Sequence, residues 1–179
     1  MYDNKAVTIN FSKFKLALGL IGSTIFVSGG LFLIVVAPLR LAIDEALTTD
    51  PVIYFIVGLA NILFFGYAGL FFIKTLLSSK PAIIINTKGV FDNSNATSIG
   101  FIPWEDIEQI KKLKVLNQKF IALILKDPQS YLNREPNFVR RKIMEYNLKY
   151  YHSPISISCN FLITNFKELY QLLRKKIEN

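Results

Sequence analysis

Glu105, Asp106 and Glu108 are the densest carboxylates in this chain of 179 residues, and grouped carboxylates can do acid–base work or hold a cation. No glycine turn or further oxygen donor follows at the spacing a cation loop requires, so they read as a solvated face. His152 is the only histidine and sits between Tyr151 and Ser153, where Pro154 predicts a turn. A capping or solvated role fits it better than that of a catalytic base, which would need a nucleophile and a charge stabiliser within reach. Cys159 is the only cysteine, so the chain can form neither an intramolecular disulfide nor a multi-cysteine zinc site. No phosphate-cradling glycine loop or nucleotide fingerprint is present. The expectation is a protein that is not an enzyme, with no cofactor and no metal.

The other groups able to recognise a ligand are cations. They fall in three clusters: Lys111, Lys112 and Lys114; Arg140, Arg141 and Lys142; Arg174, Lys175 and Lys176. After residue 77 the chain carries 16 Lys and Arg against 9 Asp and Glu, which is +7 of its total +8. Such a balance attracts acidic partners without specifying them. Nucleic acid is not expected, because the aromatic residues are not interleaved with the basic ones as a single-strand groove requires. Anionic headgroups or another membrane protein are the candidate partners.

The elements that must position these groups begin with two uncharged apolar stretches, residues 16–39 and 52–73. At about 1.5 Å per residue each can cross a hydrocarbon layer of about 30 Å as a helix, so the lipid bilayer is itself a partner. The first is too long for a signal-peptide core and ends beside Pro38, which disfavours cleavage, so it reads as a retained anchor. Lys5, Lys13 and Lys15 precede the first stretch and Lys74, Lys80 and Lys88 follow the second, whereas the connecting loop has Arg40 among Asp44, Glu45 and Asp50. Basic flanks stay on the cytoplasmic side, which predicts a multi-pass inner-membrane protein with both termini in the cytoplasm. The small residues Gly19, Gly22, Ser23, Ser28, Gly29 and Gly30 in the first stretch and Gly58, Ala60, Gly66, Ala68 and Gly69 in the second, with the mid-span Asn61, are expected to pack the two helices together. Tyr54 and Phe72 suit the two membrane interfaces.

Residues 78–179 read as one soluble domain behind a 1–77 anchor. Short strands are expected at 82–86, through 90–92, and at 99–104, where Trp104, Ile107 and Ile110 would be buried together across a bend. A hairpin around Asn117 and Gln118 joins a strand ending near Leu116 to one at 120–125. Residues 131–151 have a helical pattern, with Val139, Ile143, Tyr146 and Tyr150 on one stripe. Ile155, Ile157 and Cys159 then alternate with serines as a half-buried strand. The last helix carries the capping pair Asn165 and Glu168 and the apolar stripe Phe166, Leu169, Tyr170, Leu173 and Ile177. The fold class is therefore a membrane helical hairpin plus an α+β domain.

A two-span hairpin followed by Gly89-Val90-Phe91, by Gly100 through Trp104-Glu105-Asp106-Ile107, by Pro154 to Ser158 and by Phe166-Lys167-Glu168-Leu169 resembles an arrangement seen in small bacterial membrane proteins of unknown function. In those proteins the cytoplasmic part is pleckstrin-homology-like. The resemblance implies a strongly bent antiparallel sheet closed by the C-terminal helix, with Trp104 as a core anchor. It implies a basic binding or assembly module held at the inner membrane. The alternative is a membrane-complex subunit, or an immunity-type protective protein, that acts through its hairpin.

Overall fold

The computed structural model describes residues 6–41, 51–95 and 98–178. They divide into two compact units, one of residues 13–79 and one that joins residues 6–12 to 80–178.

The first unit is a pair of helices, α1 (Lys13–Leu41) and α2 (Pro51–Leu77). Their 29 and 27 residues are long and apolar enough to cross a membrane. Only 11% and 6% of their most apolar windows are buried, whereas the core helix of a soluble protein would be covered. Phe14, Leu63, Phe64 and Tyr67 are each largely exposed. Ser23 and Thr24 donate their hydroxyl protons to the Leu20 carbonyl, and Thr75 donates to that of Phe71, which satisfies these hydroxyls within their own helices. The acidic loop residues Asp44, Glu45 and Asp50, and Lys5 ahead of the first span, lie outside the described residues.

Of the small residues expected to pack the helices, Gly19, Ser23, Gly30, Gly58 and Gly69 form the seam between α1 and α2, and Gly22, Gly29 and Gly66 do not. A Cβ on Gly30 would stand 2.8 Å from the Gly58 carbonyl oxygen, and one on Gly58 would stand 2.7 Å from that of Gly30. Gly19 receives the Phe72 ring, Gly69 faces Ser23 Oγ, and Phe26 stacks on Phe65 with ring centres 4.1 Å apart. The α1 contacts thus recur at 19, 23, 26 and 30, the alternating spacing of four and three that keeps one seam facing its partner. Gly22 and Gly29 lie one residue off this seam, and Gly66 lies one residue after Phe65. A helix turns about 100° per residue, and a Cβ at any of the three would meet nothing within 4 Å. Asn61 does sit at the contact, its Cβ 3.3 Å from where a Gly30 Cβ would be. Phe72 packs into the seam instead of serving only as an interface anchor.

The second unit starts ahead of the helices. Strand β1 (Val7–Ile9) pairs antiparallel with β2 (Ile83–Ile85), so the hairpin is an insertion between two neighbouring strands of one sheet. With β3 (Gly89–Asp92) and β4 (Gly100–Pro103) they form a sheet in the order β1-β2-β3-β4. The β2–β3 turn is tight because the Asn86 side chain accepts from the amides of Lys88 and Gly89. A Cβ on Gly89 would collide with the Ile102 carbonyl and the Phe101 ring. Trp104 is partly buried against the core and donates its indole N–H to the Asn86 carbonyl at 2.9 Å, so it anchors the β4 end to this turn.

A single 3-10 turn, Trp104–Asp106, leads into the second sheet, β5 (Ile107–Val115), β6 (Gln118–Leu125) and β7 (Ile155–Ser158), in the order β5-β6-β7. Ile107 and Ile110 are both buried although they are three apart in a strand. A register shift between Ile107 and Gln109 supplies the extra residue, so what reads as a bend in the sequence is a β-bulge. The β5–β6 turn is Leu116 and Asn117, both at positive φ, one residue earlier than expected.

The long helical pattern is two helices, α3 (Pro128–Arg134) and α4 (Phe138–Tyr151). Pro136 holds Glu135 extended and ends α3, and the Asn137 side chain then caps α4 by accepting from the Arg140 amide. His152 closes α4 in the left-handed conformation. Helix α5 (Phe166–Ile177) carries the expected capping box on Asn165 and Glu168. Its Leu169 and Leu173 are fully buried in one core with Ile83, Ile102, Ile121, Ile157 and Leu162. The fold of this unit is thus α+β, two antiparallel sheets with a C-terminal helix.

Candidate functional site

The inward face of the β5–β6 hairpin begins as core and ends as charge. Ile110 pairs with Leu123 and Lys112 with the buried Ile121, and Lys114 then pairs with Lys119. Paired residues of an antiparallel ladder share a face, so Lys112, Lys114 and Lys119 stand where the apolar row would continue. Opposite them, α5 presents Phe166 and Tyr170, then Lys167 and Arg174 one helical row further out. Together these residues line a groove of about 480 Å³ with four lysines, one arginine and no carboxylate.

The aromatic rings hold the cations in place. Lys112 Nζ lies 4.6 Å from the Tyr170 ring centre and Lys119 Nζ lies 5.9 Å from that of Phe166. Arg174 donates through Nε to Glu178 at 2.6 Å, which raises the guanidinium pKa further, and its terminal N–H groups add to the four lysines as charge in the groove.

The groove has a definite position within its unit. Asn160 Nδ2 donates to Gln118 Oε1 at 2.9 Å, which ties the β5–β6 tip to the loop after β7. That loop pairs with residues 10–12, since the Ser12 amide donates to Phe161 at 2.7 Å and the Ile163 amide donates to Asn10 at 3.1 Å. The groove therefore lies at the end of the unit from which the chain leaves for α1. Leu116, 95% exposed at the hairpin tip, and the exposed Ile163 belong to the same end.

Three of the nine cations singled out in the sequence meet here: Lys112, Lys114 and Arg174. Lys111 pairs with Ala122 on the other face of the hairpin. Arg140, Arg141 and Lys142 are on α4, engaged by Glu135 and Glu145. Lys175 and Lys176 follow Arg174 outside the groove lining. The three clusters do not form one face. Sequence reasoning missed Lys119 and Lys167; Lys119 becomes visible once the turn is placed on Leu116 and Asn117, because a one-residue slip changes every cross-strand partner.

Two buried or half-buried carboxylates away from the groove have structural partners. Asp106 accepts from the Tyr131 hydroxyl at 2.5 Å, and burial together with this bond pushes the phenol up to about 12. Asp92, fully buried, accepts from the Ser94 amide and from the Ser98 hydroxyl; burial raises its carboxyl pKa and these bonds oppose the shift. Among the described residues no three of His, Cys, Asp and Glu converge as metal ligands would. No protein-family model matches this chain, and no curated protein or solved structure matches it.

Proposed function

We propose that this chain is an integral inner-membrane protein, both termini cytoplasmic, whose second unit is a pleckstrin-homology-like binding module that performs no catalysis and takes anionic headgroups in the basic groove. The observation that carries this reading is the groove, four open lysines framed by two aromatic rings with no carboxylate among its lining residues. Two antiparallel sheets with a C-terminal helix agree with the pleckstrin-homology-like reading. Lys13, Lys15, Lys74 and Lys80 flank the two helices on the side favoured by the positive-inside rule. Each lysine near an anionic leaflet contributes about 1 kcal/mol, so four contribute about 4 kcal/mol, enough to favour engagement once tethering has removed most of the association cost.

Hydrogen exchange on the full-length protein in nanodiscs tests this. Segments 112–119 and 166–174 should exchange several-fold more slowly in discs of phosphatidylglycerol than of phosphatidylcholine, and salt should reverse the difference. Equal exchange in both discs contradicts the headgroup reading.

A second reading, in which the hairpin acts as a membrane-complex subunit or protective protein, is favoured by one observation. Asn61 Oδ1 is buried without a hydrogen-bond partner. A donor from another membrane protein that opens the α1–α2 seam would satisfy it, and Asn61→Leu should then abolish the complex while stabilising the isolated hairpin. A complex indifferent to that change removes this reading.

A further inference from the structure

Helix α4 is apolar on two sides, and only one of them is used. Met144 is fully buried and Leu148 packs against the core, while Arg141 and Glu145 lie beside α3 residues Leu132 and Asn133. On the opposite side Val139, Ile143, Tyr146 and Tyr150 are exposed by 65%, 41%, 54% and 55%. These four are the helix's expected apolar stripe, and among the described residues of this unit none covers them.

Their spacing of four, three and four is that of a coiled-coil seam. In heptad terms Val139 and Tyr146 are d positions, and Ile143 and Tyr150 are a positions. The flanking e and g positions are then Arg140, Lys142, Asn147 and Lys149, three cations and no acid. Tyr146 and Tyr150 pack against each other with ring centres 4.5 Å apart and planes tilted by 40°, forming an aromatic step along the seam. The exposed Lys142–Glu145 pair is weak, so Lys142 remains able to meet a further carboxylate, whereas Arg140 is held at 3.3 Å by the buried Glu135 and adds its charge beside the seam.

We infer that this face of α4 is a docking seam for an amphipathic helix of another protein that carries Leu-like residues at its a and d positions and Glu or Asp at its e and g positions. A second copy of this chain is disfavoured because its own basic flanks would face one another. A bilayer surface is disfavoured because an interfacial helix needs a broad apolar face, whereas a strip confined largely to a and d positions is the narrower form suited to a helix. The inference does not rest on the groove and survives its failure.

The test uses the full-length protein in phosphatidylcholine nanodiscs and two labelled 21-residue helical peptides with Leu at a and d, one with Glu and one with Lys at e and g. The Glu peptide should bind at least tenfold more tightly by fluorescence anisotropy. Ile143→Ser and Tyr146→Ser should each weaken it about tenfold with circular dichroism and melting unchanged, whereas the Lys112→Gln, Lys119→Gln double variant should leave it unchanged. Equal binding of the two peptides, or binding indifferent to Ile143→Ser, overturns the inference. So does a nitroxide at position 146, introduced as Tyr146→Cys in a Cys159→Ser background, that reports lipid immersion in phosphatidylglycerol discs and is not drawn out by the Glu peptide.

Discussion

Ile9 stands directly opposite Ile83 across an antiparallel pair, and both are buried, although the whole helical hairpin lies between them in the chain. The two chain segments that flank the helices are therefore neighbours in one sheet. An N-terminal strand and a C-terminal domain on opposite sides of a membrane could not make this pair, so the two segments that flank the helices share one side of any membrane the helices cross.

Replacing residues 13–79 with a four-residue Asn-Gly-type turn should turn β1 and β2 into an ordinary hairpin and release a folded, soluble unit. Deleting residues 1–79 outright should give a less stable unit, because β2 loses its neighbour and the burial of Ile9, worth about 1.5–3 kcal/mol, is lost with it. Urea unfolding of the two proteins checks this, with a lower midpoint expected for the deletion.

Gly30→Leu should destabilise the detergent-solubilised hairpin by about 1–3 kcal/mol, since the new side chain meets the Gly58 carbonyl and Ile62. Gly29→Leu, in open space, should stay within about 0.5 kcal/mol. Thermal unfolding in the same detergent separates the two.

Burial holds the Asp92 carboxyl pKa above its ordinary value, so the folded protein keeps this proton to higher pH than the unfolded chain does. Its contribution to stability is full below the unfolded value of about 3.9 and declines as pH rises through the raised folded one. Asp92→Asn retains an acceptor for the Ser94 amide and should remove that decline. Urea midpoints of both proteins across the acidic to neutral range should diverge as pH rises, with Asp92→Asn gaining relative to the parent.

Asn165→Ala should cost about 1 kcal/mol by opening the capping box of α5. Bonds from Thr164 and from the Asn165 amide hold the Glu168 carboxyl pKa below its ordinary value, so this end of the helix is firm above the usual carboxylate range and loosens as pH falls through the lowered value. Amide exchange in residues 166–170 against pH measures both effects.

Much of the architecture was legible because it rests on local rules. The apolar runs, the Asn165–Glu168 cap, the alternation around Ile155 and Ile157, and the Trp104 anchor each depend on residues close in sequence or on burial. What escaped depended on pairing. Nothing near Val7 announces that it will meet Ile85. A bulge at Glu108 imitates a bend, and the choice between Gly29 and Gly30 is decided by a partner helix. Pro136 was in plain sight as a helix breaker, and the stripe at 139, 143, 146 and 150 begins only after it, where α4 starts. The groove needed both β5–β6 register and helix docking, so half of its lysines were visible and their convergence was not.

The central claim is tested most directly by sedimenting the soluble unit, made by replacing residues 13–79 with a turn and verified as folded, with lipid vesicles at low salt. The account predicts that it pellets with phosphatidylglycerol vesicles and not with phosphatidylcholine. Lys112→Gln, Lys114→Gln and Lys119→Gln together should weaken binding by about two orders of magnitude, from about 1 kcal/mol per lysine. A folded unit that stays in the supernatant with both lipids, or pellets equally well without those lysines, contradicts it.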